Sequence, residues 1–464
     1  MSRSSKPEPA LLNALLAQGG GQVARQALIE AAGISATAAR SIFARHRASG
    51  ALIGGVGARF GPGIGTAIGV SLTMTRVRAG LVDANGELLC AVEAPESRGQ
   101  LALPPDELLG RIRSTLVDLL GEAIDQAREW SARGAPVLPL LGLIVAWPVP
   151  LTVTGHASGT SLRDRAWHEA GELAEVPTLK QRVGAALGAP FEGERVGAIN
   201  LANAQGLAVA FDRARATGEQ DDDTRRTGMV VRVGTGIGAA TFQLNRHSPA
   251  RSAFLDTRLV AGAHNIAGEL AHLPLARSVI EDLNEANPHR GDLADIDYEG
   301  WRCECGRPYH LGAFASGQAL VRRLAASGYI DEAVEPNEVY DDLRDTHSEA
   351  KRYAAEDLGR LIGHALAGPV LMLDPDRITL TGPLSGPELN RGVLAERGVW
   401  AHAIGDHVDV EWVPGPEARF LAVRGAALAM LRRRVYRRLD EGVEAVRSDV
   451  LPFGPADLEA LAAR

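Results

Sequence analysis

Cysteine is scarce in this chain. Three occur in 464 residues, and two of them, Cys303 and Cys305, stand one residue apart. That excludes a disulfide framework and points to a reducing, cytoplasmic compartment. Long apolar runs are also missing. No stretch approaches the ~18 residues needed to span a bilayer, so no membrane partner is expected. The opening Met-Ser-Arg-Ser-Ser-Lys-Pro is polar and leads into a helical pattern, so no secretory signal is expected. Composition is otherwise ordinary for a globular protein of two or three domains, at 45% hydrophobic and 23% charged.

Positive charge is in deficit overall, with a net charge of −8, yet it is concentrated at the start. Residues 1–62 hold seven basic residues against Glu8 and Glu30. A basic head on an acidic body suggests an anionic partner for the head. Pro9 to Leu16 reads as a helix ended by Gly19-Gly20-Gly21, and Gln22 to Ala32 as a second helix with Val23, Ala27, Leu28 and Ala31 at helical spacing. Gly33 suits a left-handed turn and Ser35 suits a cap for a third helix, Ala36 to Ala48. Ile42 and Phe43 should face the core, with Thr37, Arg40, Ser41, Arg45, His46 and Arg47 on the other side.

Helix, glycine turn and helix with a basic face make a helix-turn-helix pattern, whose second helix enters the major groove of double-stranded DNA. Ser35, Thr37, Ala38 and Ser41 lie near the start of that helix, and Arg40 could read guanine or clamp a phosphate. Arg25 and Arg45 add basic contacts. Leu52-Ile53 and the run Gly54 to Gly65 read as a wing, with Arg59 at its tip. The alternative is a small helical cap with an incidental basic face.

From Thr66 the period changes. Thr66–Thr73, Arg76–Val82 and Glu87–Val92 read as strands, the last two joined by Asp83-Ala84-Asn85-Gly86, a hairpin signal. A helix over Pro105–Arg133, a strand over Leu140–Ala146, a helix over Leu179–Leu187, a strand over Arg195–Ile199 and a helix over Leu201–Ala216 follow. Glu219 to Asp223 reads as an acidic loop. A second cycle opens at Met229–Val233, turns at Gly234-Thr235-Gly236-Ile237-Gly238 and returns over Ala239–Leu244. Helices near Ala313–Ala326 and Glu349–Met372, strands at Arg377–Leu380 and Val408–Val413, and a closing helix Leu421–Arg437 complete it. Two such cycles predict two similar α/β lobes with a ligand cleft between them.

Cys303 and Cys305 can share one metal ion, and His310 could supply a third ligand, but tetrahedral zinc needs a fourth. The alternative is two buried free thiols and an unrelated histidine.

Head and body together resemble the ROK family of repressors and sugar kinases, over roughly residues 8–437. The matching pieces are the helix-turn-helix, the hairpin Ile68 to Val92, Val145 to Val149, Asn200 to Asn203, Gly234 to Gly238, Gly268-Glu269-Leu270-Ala271-His272 and Cys303 to His310. The resemblance implies a two-lobed actin/hexokinase-like body with ribonuclease H-like lobes. It divides the chain into a winged helix-turn-helix (1–63), a first α/β lobe (64–200), a second lobe with the metal loop and a closing helix returning to the first (201–437), and a C-terminal helical extension (438–464). It implies structural zinc on His272, Cys303, Cys305 and His310, with histidine where the family has a third cysteine. The stretch between His272 and Cys303, including Pro288 to Asp297, is longer than the family's spacing.

Against the same family, catalytic groups are missing. The kinases carry a proton-accepting aspartate in Asn-Asp-x-Asn, where this chain has Asn200-Leu201-Ala202-Asn203. Their Asp-x-Gly-Gly-Thr phosphate loop stands here as Ser71-Leu72-Thr73-Met74-Thr75, so no ATP is expected. Of the sugar-contacting groups implied, Asn200, Glu269 and His272 remain, while Gly312 replaces a glutamate. Glu269 could instead support the zinc histidine. The reading is a non-enzymatic ROK-type transcriptional regulator, a repressor, binding DNA as a homodimer or dimer of dimers and sensing a sugar or sugar derivative. The alternatives are a hexose kinase using ATP and a regulator without an effector.

Overall fold

The computed structural model describes residues 6–464 apart from 19–21, 55–56, 98–102, 131–137, 150, 152–177, 217–225, 245–253, 286–299, 332–333, 335–347 and 401–406. The expected glycine break at 19–21, the acidic loop at 219–223 and the insertion at 288–297 lie outside the described residues.

The head begins with α1 (Pro7–Ala17), followed by β1 (Val23–Ala24) and α2 (Arg25–Ala32). Gly33, at φ 62°, ends α2 in the left-handed region, which a side chain would disfavour. Ser35 caps α3 (Ala36–Ala48), its Oγ accepting from the Ala38 N–H at 3.2 Å. The chain turns through 117° between α2 and α3. Helix-turn-helix pairs cross at about 90–120°. β2 (Leu52–Ile53) and β3 (Gly57–Phe60) complete a sheet of order β1-β3-β2. The second helix therefore starts at Arg25, not Gln22. Val23 pairs with Ala58 instead, because so short a strand is decided by its partner and not by local periodicity.

The first lobe holds an antiparallel meander of β4 (Thr66–Leu72), β5 (Val77–Asp83) and β6 (Leu88–Glu93). Then come α4 (Pro105–Trp130), β7 (Leu138–Trp147), α5 (Leu179–Leu187) and β8 (Val196–Asn200). β7 runs parallel to β4, and β8 parallel to β7. The second lobe repeats the design. α6 (Leu201–Ala216) leads to the antiparallel β9 (Arg226–Val233), β10 (Ile237–Leu244) and β11 (Arg258–Leu259). After α7 (Arg277–Glu285), α8 (Leu311–Ala315), α9 (Gly317–Ala326) and α10 (Glu349–Leu373), β12 (Arg377–Thr381) runs parallel to β9. α11 (Pro387–Ala395) connects to β13 (Asp409–Trp412), parallel to β12. The order β6-β5-β4-β7-β8 is thus mirrored by β11-β10-β9-β12-β13. This is the two-lobed α/β architecture that was expected. The single helix expected at 313–326 is split, because Ser316 caps a new start at Gly317.

α12 (Gly415–Arg434) returns to the first lobe and lies between β4 and α6. A Cβ on Gly69 would sit 1.8 Å from the Val423 carbonyl oxygen, and one on Gly425 would sit 1.7 Å from that of Ala204. The helix therefore meets both neighbours backbone to backbone. It ends at Arg434, and a 3-10 turn (Tyr436–Glu441) continues where helix was expected to Arg437. The C-terminal extension is not purely helical. Between α13 (Val443–Arg447) and α14 (Pro455–Ala462), β14 (Leu451–Phe453) pairs antiparallel with β7, since β7 offers a free stretch of edge at Leu138–Leu140.

The head is pinned to this body. Asn85, fully buried in the β5–β6 turn, accepts from the Phe60 N–H at 3.0 Å and donates to its carbonyl at 2.9 Å. Tyr436 donates to the Ala84 carbonyl of the same turn at 2.8 Å. Glu8 of α1 accepts from the Val443 N–H at 3.0 Å and pairs with Arg45 at 2.9 Å and with buried His46 at 3.2 Å. One hydrophobic cluster runs unbroken from Leu11 and Phe43 to Leu428 and Tyr436.

Candidate functional site

His272, Cys303, Cys305 and His310 converge, with their donor atoms all within 4.8 Å of one another. His272 Nδ1 lies 3.5 Å from Cys303 Sγ, and His310 Nδ1 lies 3.2 Å from Cys305 Sγ. Edges of a zinc tetrahedron joining nitrogen and sulfur are about 3.5 Å, given bond lengths of about 2.1 and 2.3 Å. The donor set and its spacing therefore fit zinc. The backbone prepares the site. Gly268, at φ 97°, touches Ala239, where a Cβ would come within 2.1 Å of the carbonyl oxygen. That contact starts the 3-10 turn Leu270–His272 and brings His272 to the cleft. Across from it, the Gly306 N–H donates to the Cys303 carbonyl at 2.8 Å, a tight turn that Gly306 makes at φ 82°. Tyr309 and Leu311 hydrogen-bond to Leu275 and Leu273, stitching the two strands of the site together. Burial first, then Cys305 and Glu304, pushes the Cys303 thiol up to about 11. Burial also lowers the His272 imidazole, which keeps it neutral and able to ligate.

The cluster of His272, Cys303 and Cys305 forms one wall of a cavity of about 760 Å³ that runs between the lobes. Asn200, Glu269 and His272 all line it. Asn200 is occupied as a helix cap. Its Oδ1 accepts from Ala202 N at 2.9 Å and Asn203 N at 3.3 Å, and its amide donates to the Val149 carbonyl at 3.1 Å. Glu269 Oε2 stands 4.0 Å from His272 Nε2, the ring edge turned away from the thiolates. Leu201, 4% exposed, faces the cavity at the start of α6. No carboxylate replaces it nearby on that helix turn. At Gly312 a Cβ would meet the Ala271 Cβ at 3.1 Å and the Cys303 sulfur at 3.5 Å, so the wall closes there.

The two loops that cradle nucleotide phosphates in kinases are differently used. The Thr73–Arg76 turn closes on itself, Thr73 N donating to Arg76 O at 2.9 Å and Arg76 N to Thr73 Oγ1 at 3.1 Å. At the second loop, the Gly234 carbonyl accepts from the Gly317 N–H at 2.7 Å, docking the loop on the start of α9. The cavity also has residues that the sequence reading did not single out: Arg76, Arg78, Arg232, Arg302, Arg322 and Arg419. Only Arg76 and Arg78 carried a local signal, since alternate residues share one face of a strand. The others come together through the fold.

On the head, Ser35, Thr37, Arg40 and Ser41 are exposed on α3, with Ala38 half-buried beside them. Arg40 Nε donates to the Ala36 carbonyl at 3.4 Å along its own helix. Three expectations change. His46 is buried against Glu8 and not on the outer face, because α1 covers that side of α3. Arg25 lies over the Phe43 ring at 5.0 Å, which makes it part of the head's packing. Arg59 is in β3, opposite Ile53, and pairs with Glu87 at 3.5 Å, so it faces the body and not the wing tip. Arg45 remains outside but is tethered to Glu8.

Residues 194–390 match the family model described as the ROK family. Among solved structures, the chain is similar to a ROK family transcriptional regulator described as a homologue of the Mlc protein of E. coli. That match has a TM-score of 0.56 and 15% identity, and covers 95% of this chain and 99% of that one. It is also similar to a ROK family glucokinase from Streptomyces griseus (TM-score 0.49, 20% identity, 79% of this chain and 99% of that one). A ROK hexokinase from Thermus thermophilus matches at TM-score 0.46 and 21% identity, over 78% of this chain and 97% of that one. At these identities the likeness shows the fold. No curated protein matches the chain in sequence.

Proposed function

From the ROK family domain that this chain carries over residues 194–390, we propose that it is a DNA-binding transcriptional regulator, acting as a repressor, whose body senses a ligand and performs no kinase chemistry. The observation that carries the reading is Leu201, buried at the position where a kinase of this type would need a proton acceptor, and facing the cavity. A leucine accepts no proton and leaves an attacking hydroxyl unactivated. The head supports the same reading. A helix pair turned by 117° presents Thr37, Arg40 and Ser41 outward on its second member. The likeness to a regulator extends over 95% of this chain.

In this reading α3 enters the major groove and the head occupies one half-site, so the active species is a homodimer on a roughly palindromic operator. Zinc on His272, Cys303, Cys305 and His310 is structural and holds the wall of the ligand cleft. The reading places the protein in the cytoplasm. Among the described residues, no single helix is long and apolar enough to cross a membrane.

The test is selection of bound genomic fragments by the full chain, followed by measurement of affinity for the selected fragment. Arg40→Ala should weaken that binding at least tenfold, about the ~1–3 kcal/mol of a base-reading arginine, with thermal unfolding unchanged. Purified chain should transfer no phosphate from ATP to any hexose. Turnover of ATP with a hexose would overturn the proposal.

A further inference from the structure

The head is held to the body through β3 and through α1. At β3, Asn85 takes both backbone groups of Phe60. At α1, one carboxylate makes the link. Glu8 Oε2 lies 2.9 Å from Arg45 Nη1, and Glu8 Oε1 lies 3.2 Å from His46 Nε2, both on α3. The same Oε1 accepts from the Val443 N–H of the body at 3.0 Å. One residue thus joins the helix that presents Thr37, Arg40 and Ser41 to the C-terminal extension.

Both ends of the link are shaped to receive it. The first N–H groups of a helix have no partner within it, and α13 begins after Gly442, which has no side chain to cap it. Glu8 fills that place from another element. Gly442 stands at φ 97°, and a Cβ there would come within 3.1 Å of Glu8 Oε1. At the other end His46 is fully buried, with its ring against Glu8 and away from water. Asn13, also on α1, donates to Asp440 Oδ1 at 2.8 Å. The extension is itself anchored. β14 pairs with the edge of β7, Arg434 at 3.3 Å and Arg438 both pair with Asp449, and Arg195 donates to the Asp449 carbonyl at 2.7 Å. A chain of contacts therefore runs from α3 through Glu8 and Val443 to the sheet of the first lobe.

We propose that Glu8 is a positioning residue for DNA recognition. Through it the C-terminal extension straps the head and fixes the angle at which α3 is presented, and so the half-site spacing that a dimer accepts. Moving one half-site by two base pairs turns it by about 70° around the duplex, which a head of fixed angle cannot follow. A head held through β3 alone can swing to meet it. The proposal deepens the regulator reading and rests on it.

The experiment compares the full-length wild type with Glu8→Ala, Glu8→Gln and Val443→Pro. The probe is a genomic fragment selected by the wild type, with versions whose half-site spacing is changed by two base pairs and one that keeps a single half-site. The wild type should bind the altered spacings at least about tenfold more weakly, because bivalent binding is lost where geometry forbids it. Glu8→Ala should bind the single half-site as the wild type does, yet lose less than about threefold on the altered spacings. Glu8→Gln keeps an oxygen that accepts from the Val443 N–H, and should restore most of the discrimination. Val443→Pro removes that donor at a first helical position, where proline is tolerated. It should behave as Glu8→Ala does, and the double variant should be no more tolerant than either single one. Equal discrimination in wild type and Glu8→Ala overturns the proposal. So does a wild type indifferent to spacing, or a Glu8→Ala chain that loses single-site affinity and thermal stability together while keeping its spacing preference. Hydrogen exchange without DNA separates this proposal from the regulator reading. Faster exchange in α3 of Glu8→Ala, in a chain that selects no genomic DNA, would keep the strap and sink the regulator. Unchanged exchange in α3, with DNA binding intact, would do the reverse.

Discussion

A buried thiol at Cys303, pushed up to about 11 mainly by burial, does not ionise at neutral pH by itself. Zinc held by His272, Cys303, Cys305 and His310 would supply the field that removes the proton, and its binding would then be part of folding stability. Cys303→Ser should drop the metal content from about one zinc per chain to well below one. It should also lower the unfolding temperature, and a chelator should lower the wild type to the same value. Metal analysis with thermal unfolding measures both, and a wild type without zinc would remove the site. The thiol pair and His310 were legible because they lie within eight residues. His272, 31 residues before Cys303, came only through likeness to a family, since local spacing carries no trace of a ligand that far away. Asn200 shows the limit of reading single residues. It lies in the cleft as expected, yet its carbonyl oxygen is engaged in capping α6.

At the scale of elements, the hairpin turn Asp83-Ala84-Asn85-Gly86 was readable as a turn and nothing more. In the fold it joins the head to the body. Asn85 bonds both backbone groups of Phe60 in β3, Tyr436 bonds Ala84, and Arg424 Nε bonds Gly86 O at 2.7 Å. Asn85→Ala should cost about 1–3 kcal/mol for each buried group left unpaired. It should also loosen the head, so that proteolysis releases the head earlier than the body is cut. Cleavage of head and body at the same rate in wild type and variant would count against this junction. α3 was legible to the residue, because Gly33 and Ser35 mark its start chemically. β1 was not, because Val23 fits a helix by spacing and is drawn into a strand by Ala58.

At the scale of the molecule, α12 is the member common to both lobes. Its contacts at Gly69 and Gly425 leave no room for a methyl group. Gly425→Ala should force α12 and α6 apart and cost about 1–3 kcal/mol by overpacking, despite the gain in helix propensity. Chemical denaturation should show a lower midpoint, and the same or higher midpoint would place the lobes' contact elsewhere. The glycine was readable as one residue inside a helical pattern, but its reason lies in Ala204, more than two hundred residues earlier.

By itself, the sequence determined most of the order of the elements, the repeated lobe, the cysteine pair and the leucine at position 201. Those follow from local periodicity, turn chemistry and residue identity. Only the tertiary structure decided what surrounds the cleft. It set six arginines from several parts of the chain around one cavity, buried His46 under α1, and turned Arg59 toward the body. Charge in a cleft depends on which distant segments meet there, and no short stretch of chain records that.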